Sequence, residues 1–338
     1  MNIKEVAAKA GVSIATVSRV LNSPEKVSGA TREKVLETIE ELNYTPNWFA
    51  RNIQNSRTNI IGVLAPDTLD MSNMEIAKGV EKIARKFNCN IILCNTGYEP
   101  DTERFQIETL VNRKVDGLIL IDSLMDMPGL NSLKARGVPD VFVGRNDVAD
   151  NENLIYTDYV EAVEKVVDYL CDMERSRIVL LLPDDNTNTG REKAKGYRTA
   201  LQRNGIEYDD SLLVYCDNRI AGGHVATEQL LDSVKPEAVF AGTDTKAFGA
   251  IEAVKGRGLS PGDVSVIGYE GLEAGAVVEP KLTTVIKPSM RMGLMAGRLL
   301  FDLINSEDEP GKPSQIMLQS RMKIRKSCGN KERIREIW

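Results

Sequence analysis

Apolar positions recur every three to four residues up to residue 42, and from residue 59 onward short apolar runs alternate with amphipathic stretches. The first pattern predicts three helices. Ile3, Val6, Ala7 and Ala10 follow helical spacing behind the capping residue Asn2, and Gly11 is placed to stop that helix in a left-handed conformation. A second helix begins at once: Ser13 caps it, Val17, Val20 and Leu21 form its inward stripe, and Ile14, Ala15, Ser18, Arg19 and Asn22 face outward. Thr31 is expected to cap a third helix, whose Val35, Ile39 and Leu42 close a miniature core. Two helices meeting at so tight a turn read as a helix-turn-helix DNA reader rather than as a generic three-helix bundle. The N-terminal residues of the second helix then face base edges. Ile14 and Ala15 offer apolar contact, for instance to a thymine methyl, and Arg19 can reach a guanine edge or a phosphate.

The second pattern predicts parallel sheets, with strands at Ile60 to Leu64, Ile91 to Cys94, Leu118 to Ile121 and Val141 to Val143. A further series follows at Ile178 to Leu182, Leu212 to Cys216, Ala238 to Ala241 and Val264 to Ile267, with helical stretches such as Glu192 to Asn204 between. Two lobes of similar design result. Doubly wound sheets bind ligands at the carboxyl ends of their strands, and here Asp67, Asp122, Arg145, Asp184, Asp217, Asp244 and Glu270 lie at or near such ends. One such residue is ordinary turn chemistry, whereas seven suggest a lined cleft. Arg191, in Thr189-Gly-Arg-Glu-Lys-Ala-Lys-Gly-Tyr197, begins a helix whose face is expected to look toward that cleft.

With 338 residues the chain is too long for one core, and 42% hydrophobic with 27% charged residues is ordinary for a soluble protein. No stretch approaches the twenty apolar residues of a membrane span and no signal peptide is read, so a cytoplasmic protein without membrane contact is expected. Cys89, Cys94, Cys171, Cys216 and Cys328 show no C-x-x-C spacing, and reduced, buried thiols are expected. The net charge of −6 divides unevenly: residues 1–58 carry eight Lys/Arg against six Asp/Glu, or +2, and the remainder 35 against 43, or −8. Lys4, Arg19, Lys26, Arg32, Lys34, Arg51 and Arg57 can neutralise phosphates, but an acidic body predicts weak, salt-sensitive non-specific binding.

Gly11-Val-Ser-Ile-Ala-Thr-Val-Ser-Arg19, Thr31-Arg-Glu-Lys-Val35 and Leu42-Asn-Tyr-Thr-Pro-Asn-Trp-Phe-Ala-Arg51 resemble the LacI/GalR family of bacterial transcription regulators over nearly the whole chain. The resemblance implies a hinge at Asn47 to Gln54 that becomes helical on DNA, with Ile53 as the minor-groove wedge where the family usually has leucine. A segment that short needs dimerisation and DNA to fold. The DNA-contacting candidates are Ser13, Ile14, Ala15, Thr16, Ser18, Arg19, Asn22, Thr31, Asn47, Ala50, Arg51 and Ile53. The resemblance also implies a body like that of periplasmic sugar-binding proteins, in which Arg191, Thr243 with Asp244, and Glu270 match positions that bind effector hydroxyls. Three departures stand out: Asp70-Met-Ser-Asn73 replaces Asn-Pro-Phe-Phe, Cys216-Asp-Asn218 lacks the usual aromatic, and Glu270 replaces Asp. Each lost aromatic removes a stacking platform, and Ser72, Asn73 and Asn218 offer hydrogen bonds instead. The implied effector is a smaller, linear or more oxidised polar ligand, a sugar acid or sugar phosphate included, with Arg145 and Arg191 for an anionic group. The effector candidates are Asp70, Ser72, Asn73, Asp122, Arg145, Arg191, Asn218, Thr243, Asp244 and Glu270.

The expected organisation is an all-α helix-turn-helix domain at 1–45, hinge and linker at 46–58, and an α/β body of two doubly wound parallel-sheet lobes. The first lobe takes 59–157 and 285–316, the second 158–284 and 317–330. Ser327 to Trp338 has no leucine heptads, so a homodimer on a pseudo-palindromic double-stranded operator is expected, without cofactor or metal. The function read from this is a repressor of carbohydrate-utilisation genes. The alternative is a carbon catabolite regulator answering to a phosphorylated carrier protein, since Ile14-Ala15 resembles the reading helix of those relatives. An enzyme is not supported: there is no P-loop, G-x-S-x-G or H-E-x-x-H, and His224, the single histidine, has no partners at ligand spacing. A transport-type binding protein does not explain the fused DNA reader.

Overall fold

A computed structural model describes residues 2–42, 44, 57–144, 152–183, 187–306, 312–330 and 335–338. They form two compact units, Met1–Thr58 and Asn59–Trp338. The first holds α1 (Ile3–Ala10), α2 (Ile14–Asn22) and α3 (Gly29–Glu41). Asn2 caps α1 in a reciprocal capping box with Glu5, and Gly11, at φ 64°, closes it. Ser13 Oγ accepts from Thr16 N at 3.1 Å and starts α2. Val6, Ala10, Val17, Val20 and Val35 are buried together, with Leu21, Ile39 and Leu42 packed against them. The cap of α3 is not Thr31. Ser28, three residues earlier, accepts from Thr31 N at 3.4 Å, because the helix begins at Gly29 and needs its acceptor in the extended residue before it.

In the body, β1 (Ile60–Ala65), β2 (Asn90–Asn95), β3 (Gly117–Ile121), β4 (Asp140–Val143), β5 (Leu154–Tyr156) and β11 (Gln315–Met317) form a sheet in the order β11-β5-β4-β3-β1-β2, parallel throughout. The other sheet has the order β13-β12-β10-β9-β8-β6-β7. Its members are β6 (Ile178–Pro183), β7 (Leu213–Cys216), β8 (Ala238–Ala241), β9 (Ser265–Glu270), β10 (Thr283–Ile286), β12 (Arg321–Ile324) and β13 (Arg335–Ile337). Only β12 and β13 run antiparallel to their neighbours among the described strands. Successive residues of β6 feed opposite cores, Leu180 with Tyr197 and Phe240, Val179 and Leu181 with Ala250 and Val266, which is why the strand reads as a continuous apolar run.

Helices α4 (Met71–Lys86), α5 (Pro100–Asn112), α6 (Met127–Ala135) and α11 (Ser289–Asn305) belong to the first lobe, and α7 (Tyr159–Asp172), α8 (Asn188–Arg203), α9 (Ile220–Ser233) and α10 (Asp244–Gly256) to the second. The chain passes between the sheets after β5, between β10 and α11, and after β11. Two expected boundaries move. Val285 and Ile286 pair within the second lobe, against Tyr269 and Glu270 of β9, because the ladder continues to the end of β9, and Met317 pairs with Tyr156 in the first sheet. The second lobe also gains β13, beyond the expected limit of residue 330.

One close contact sets the cleft wall of the first lobe. A β-carbon on Gly79 would lie 2.6 Å from the carbonyl oxygen of Met290, and one on Gly293 would overlap the carbonyl of Ile76. The bare backbones of α4 and α11 therefore touch, and beside them Ser72 and Ser289 share a buried hydrogen bond of 2.9 Å.

Candidate functional site

On the first unit, Ile14, Ala15 and Arg19 face outward from α2 as its periodicity predicts. Ile14 is 44% exposed, Ala15 and Arg19 are exposed, and Thr16 and Ser18 are partly buried. Ser13 spends its oxygen on the cap and lies 2.9 Å from the Thr16 hydroxyl, so its role is to start the helix at the right place. Thr31 stands inside the first turn of α3, its hydroxyl 2.8 Å from that of Ser28. Asn22 ends α2. Asn47, Ala50, Arg51 and Ile53 lie outside the described residues.

In the body, strand ends and helix starts from both lobes meet around a narrow cavity of about 40 Å³. Asp70, Ser72, Asn73, Tyr98 and Asp122 line it from the first lobe. From the second come Tyr159, Pro183, Thr187, Thr189, Lys193, Asn218, Thr243, Tyr269 and Glu270, and Lys287 enters from the crossing after β10. Seven of the ten expected effector residues are thus brought together. Asp70 is the cap of α4, its Oδ1 accepting from Ser72 N at 2.8 Å and Asn73 N at 3.1 Å. Asn218 Oδ1 accepts from Thr243 Oγ1 at 3.0 Å and from the buried Lys246 Nζ at 2.5 Å, which fixes its amide toward the cleft.

The other three differ. Arg191 is exposed and is not among the described residues that line the cavity. Thr187 accepts from Gly190 N and starts α8 at Asn188, so its inward stripe runs through Gly190, Lys193, Ala194 and Tyr197. Arg191, two positions from Lys193, therefore points to the opposite side. Asp244 is fully buried behind the cleft: its carboxylate accepts from Thr284 Oγ1 at 2.5 Å and Leu272 N at 2.6 Å, pinning β10 and the turn after Glu270. Arg145 lies outside the described residues, as does Asp184. Of the remaining strand-end acids, Asp67 accepts from Leu69 N in a turn and Asp217 is exposed beside Arg219.

The electrostatics centre on two buried lysines. Lys193, 5% exposed, donates to the Gly242 carbonyl at 2.7 Å and sits 4.1 Å from the Tyr269 ring centre. Burial pushes it down to about 8, against the attraction of Glu270. Burial also works against charge on Lys287, 7% exposed, but Tyr159, Asp122, Asp70 and Glu270 together raise it above an ordinary lysine. Burial and the neighbouring Asp70 and Asp244 hold Glu270 well above the usual carboxylate range. Three non-glycine residues of the wall have positive φ, Tyr98 at 59°, Asp122 at 42° and Glu270 at 122°, a cluster of uncommon conformations typical of ligand sites. Gly144, at φ 92°, leaves the space that the Asp122 carboxylate occupies.

Residues 2–47 match the model of bacterial regulatory proteins of the lacI family, and residues 58–326 that of periplasmic binding proteins and the sugar binding domain of the LacI family. The chain belongs to the LacI family. It is 34% identical to catabolite control protein A of Priestia megaterium over 330 residues, 97% of this chain and 99% of that protein. It is 32% identical to the ribose operon repressor of Escherichia coli K12, over 87% of this chain and 90% of the other. A solved lac repressor dimer bound to operator and an anti-inducer matches with a TM-score of 0.83 at 26% identity, covering 97% and 99% of the two chains. The LacI-family chain is accordingly a DNA-binding transcription regulator, like its relatives, and not an enzyme. Regulators of this family bind operator DNA and sugar effectors and form dimers.

Proposed function

We propose that the chain is a repressor-type regulator of carbohydrate-utilisation genes whose interlobe cleft binds a small, hydroxyl-rich, carbohydrate-like effector. The observation that carries this is the convergence of Asp122, Asn218, Thr243 and Glu270 from two lobes on one cavity. Carboxylates accept from ligand hydroxyls while the buried lysines donate, an arrangement suited to vicinal diols. A homodimer is supported by the apolar side chains left at the surface, Leu69, Met71 and Leu93 on one lobe and Ile220, Val225 and Val277 on the other. Two copies of α2 would then read a pseudo-palindromic operator. Effector binding changes the angle between lobes and so the pairing of the two hinges, a coupling of about 1 to 3 kcal/mol.

Arg191 is not among the residues lining the described cavity, which leaves Lys193 and Lys287 as its cations beside Asp70, Asp122 and Glu270. A second reading is favoured by the small cavity and by Lys287, which already neutralises carboxylates of both lobes. In it, the body takes its signal at the surface from a phosphorylated carrier protein. Operator binding by the full chain, followed by fluorescence anisotropy against neutral sugars, sugar acids and sugar phosphates, tests the first reading. A change of operator affinity with one of them, abolished by Asp122→Asn, supports it; a response only to a phosphorylated carrier protein supports the second.

A further inference from the structure

The departures at Asp70 to Asn73 and at Asn218 remove aromatic platforms from the expected positions, but the cleft wall has an aromatic side chain from another element. Tyr98 follows β2, partly buried, with its backbone in the left-handed region directly after Gly97 at φ 67°. The turn is held on both sides: Thr96 N donates to Ala65 O and Gly97 N to Pro66 O, each at 2.9 Å, and Glu99 N donates to Thr96 O at 3.1 Å. A left-handed backbone is uncommon for tyrosine, and here it belongs to a residue of the cleft wall. Tyr159 and Tyr269 are also in the wall, but both are fully buried and face ammonium groups. Lys193 Nζ lies 5.5 Å and 4.1 Å from their ring centres, and Lys287 Nζ lies 5.9 Å from that of Tyr159.

We propose that Tyr98 is the platform on which the apolar face of a ring-form sugar stacks, making it the residue that selects cyclic saccharides over open-chain polyols of equal carbon count. This rests on the reading of the cleft as the effector site. The hydrogen-bonding groups Asp122, Asn218 and Thr243 hold hydroxyls of either kind, whereas an aromatic face rewards only a ring with a flat array of C–H groups. The restored platform reverses the expectation of a linear ligand.

The test is calorimetric titration of the full chain with matched pairs: D-ribose and ribitol, D-xylose and xylitol, D-glucose and glucitol. At least one cyclic member should bind about tenfold more tightly than its reduced partner. Tyr98→Ala should remove that preference, and Tyr98→Phe should keep it within about threefold. Tyr98→Gly, which relaxes the backbone, should lose the preference while keeping the melting temperature within about 2 °C of the parent. If neither member of any pair binds the parent chain, the reading of the cleft as a saccharide site falls, and this inference with it. If rings and polyols bind alike, or if Tyr98→Ala leaves the preference intact, the cleft reading stands and the role of Tyr98 is overturned. A Tyr98→Gly chain that melts several degrees lower with the preference unchanged marks Tyr98 as a packing residue and overturns the proposal.

Discussion

Thr189 Oγ1 donates to Asp122 Oδ1 at 3.2 Å, tying the first turn of α8 in the second lobe to the end of β3 in the first. It is a direct side-chain bond across the cleft, and it engages a carboxylate that faces the cavity. A ligand hydroxyl at Asp122 must compete with it or share the second carboxylate oxygen. Thr189→Val should cost about 1 kcal/mol in urea unfolding. It should also raise amide exchange at the first turn of α8, while Thr189→Ser stays close to the parent. Unchanged exchange in Thr189→Val would mean that the bond does not hold the lobes together.

Asp244 was expected among the ligand-binding residues, and its position gives a different test. Burial raises its carboxyl to about 6, opposed by hydrogen bonds from Thr284 and Leu272. The folded value lies above the unfolded 3.8, so the contribution to stability is present below about pH 4 and is lost as pH rises through 6. Asp244→Asn should remove that downward slope between about pH 4 and 6 in urea titrations. A slope identical to that of the parent would refute the assignment.

The fold was legible because its signals are periodic: the apolar runs of β1, β3, β6 and β8 and the stripe of α2 match the observed elements within one or two residues. The cleft was half legible. Polar residues at strand ends pointed to Asp122 and Glu270, but Lys193 was passed over for Arg191, although Lys193 shares the inward stripe with Ala194 and Tyr197. Buried lysine runs against the usual preference for exposure, and only the facing carboxylates explain it. Tyr98 and Lys287 had no signal, because each enters the wall from a turn or crossing whose direction is set by contacts distant in sequence.

The contact between α4 and α11 predicts a strong effect from a small substitution. Gly293→Ala places a methyl group against the Ile76 carbonyl, which cannot move without shifting α4 and, with it, Asp70, Ser72 and Asn73 at its start. The loss should be about 1 to 3 kcal/mol, as for other overpacked cores. Effector affinity should fall together with stability. Gly29→Ala, where a β-carbon meets nothing within 4 Å, is the control and should lower neither.

Arg19 is exposed on α2 one turn beyond Ala15. Arg19→Ala should weaken operator binding by about 1 to 3 kcal/mol and relax discrimination at one position of each half-site. Its salt dependence should barely change if the guanidinium meets a base edge. A slope reduced by about one per subunit, with equal loss on all sequences, would assign Arg19 to a phosphate.

Lys193 gives a pH signature of opposite sign to that of Asp244. Burial lowers it to about 8 in the folded chain, and an unfolded lysine titrates near 10.5. Between those values the unfolded state binds more protons, so stability rises with pH. Lysine in its neutral form is the one the site prefers, and the benefit is fully present above the unfolded value and lost as pH falls through about 8. Lys287 shifts the other way and acts only at higher pH. The difference in unfolding free energy between the parent chain and Lys193→Met should therefore change steadily from pH 8 to 10, in favour of the parent as pH rises. A difference that stays flat across that range would mean that Lys193 keeps an ordinary proton affinity and that Glu270 fully balances its charge.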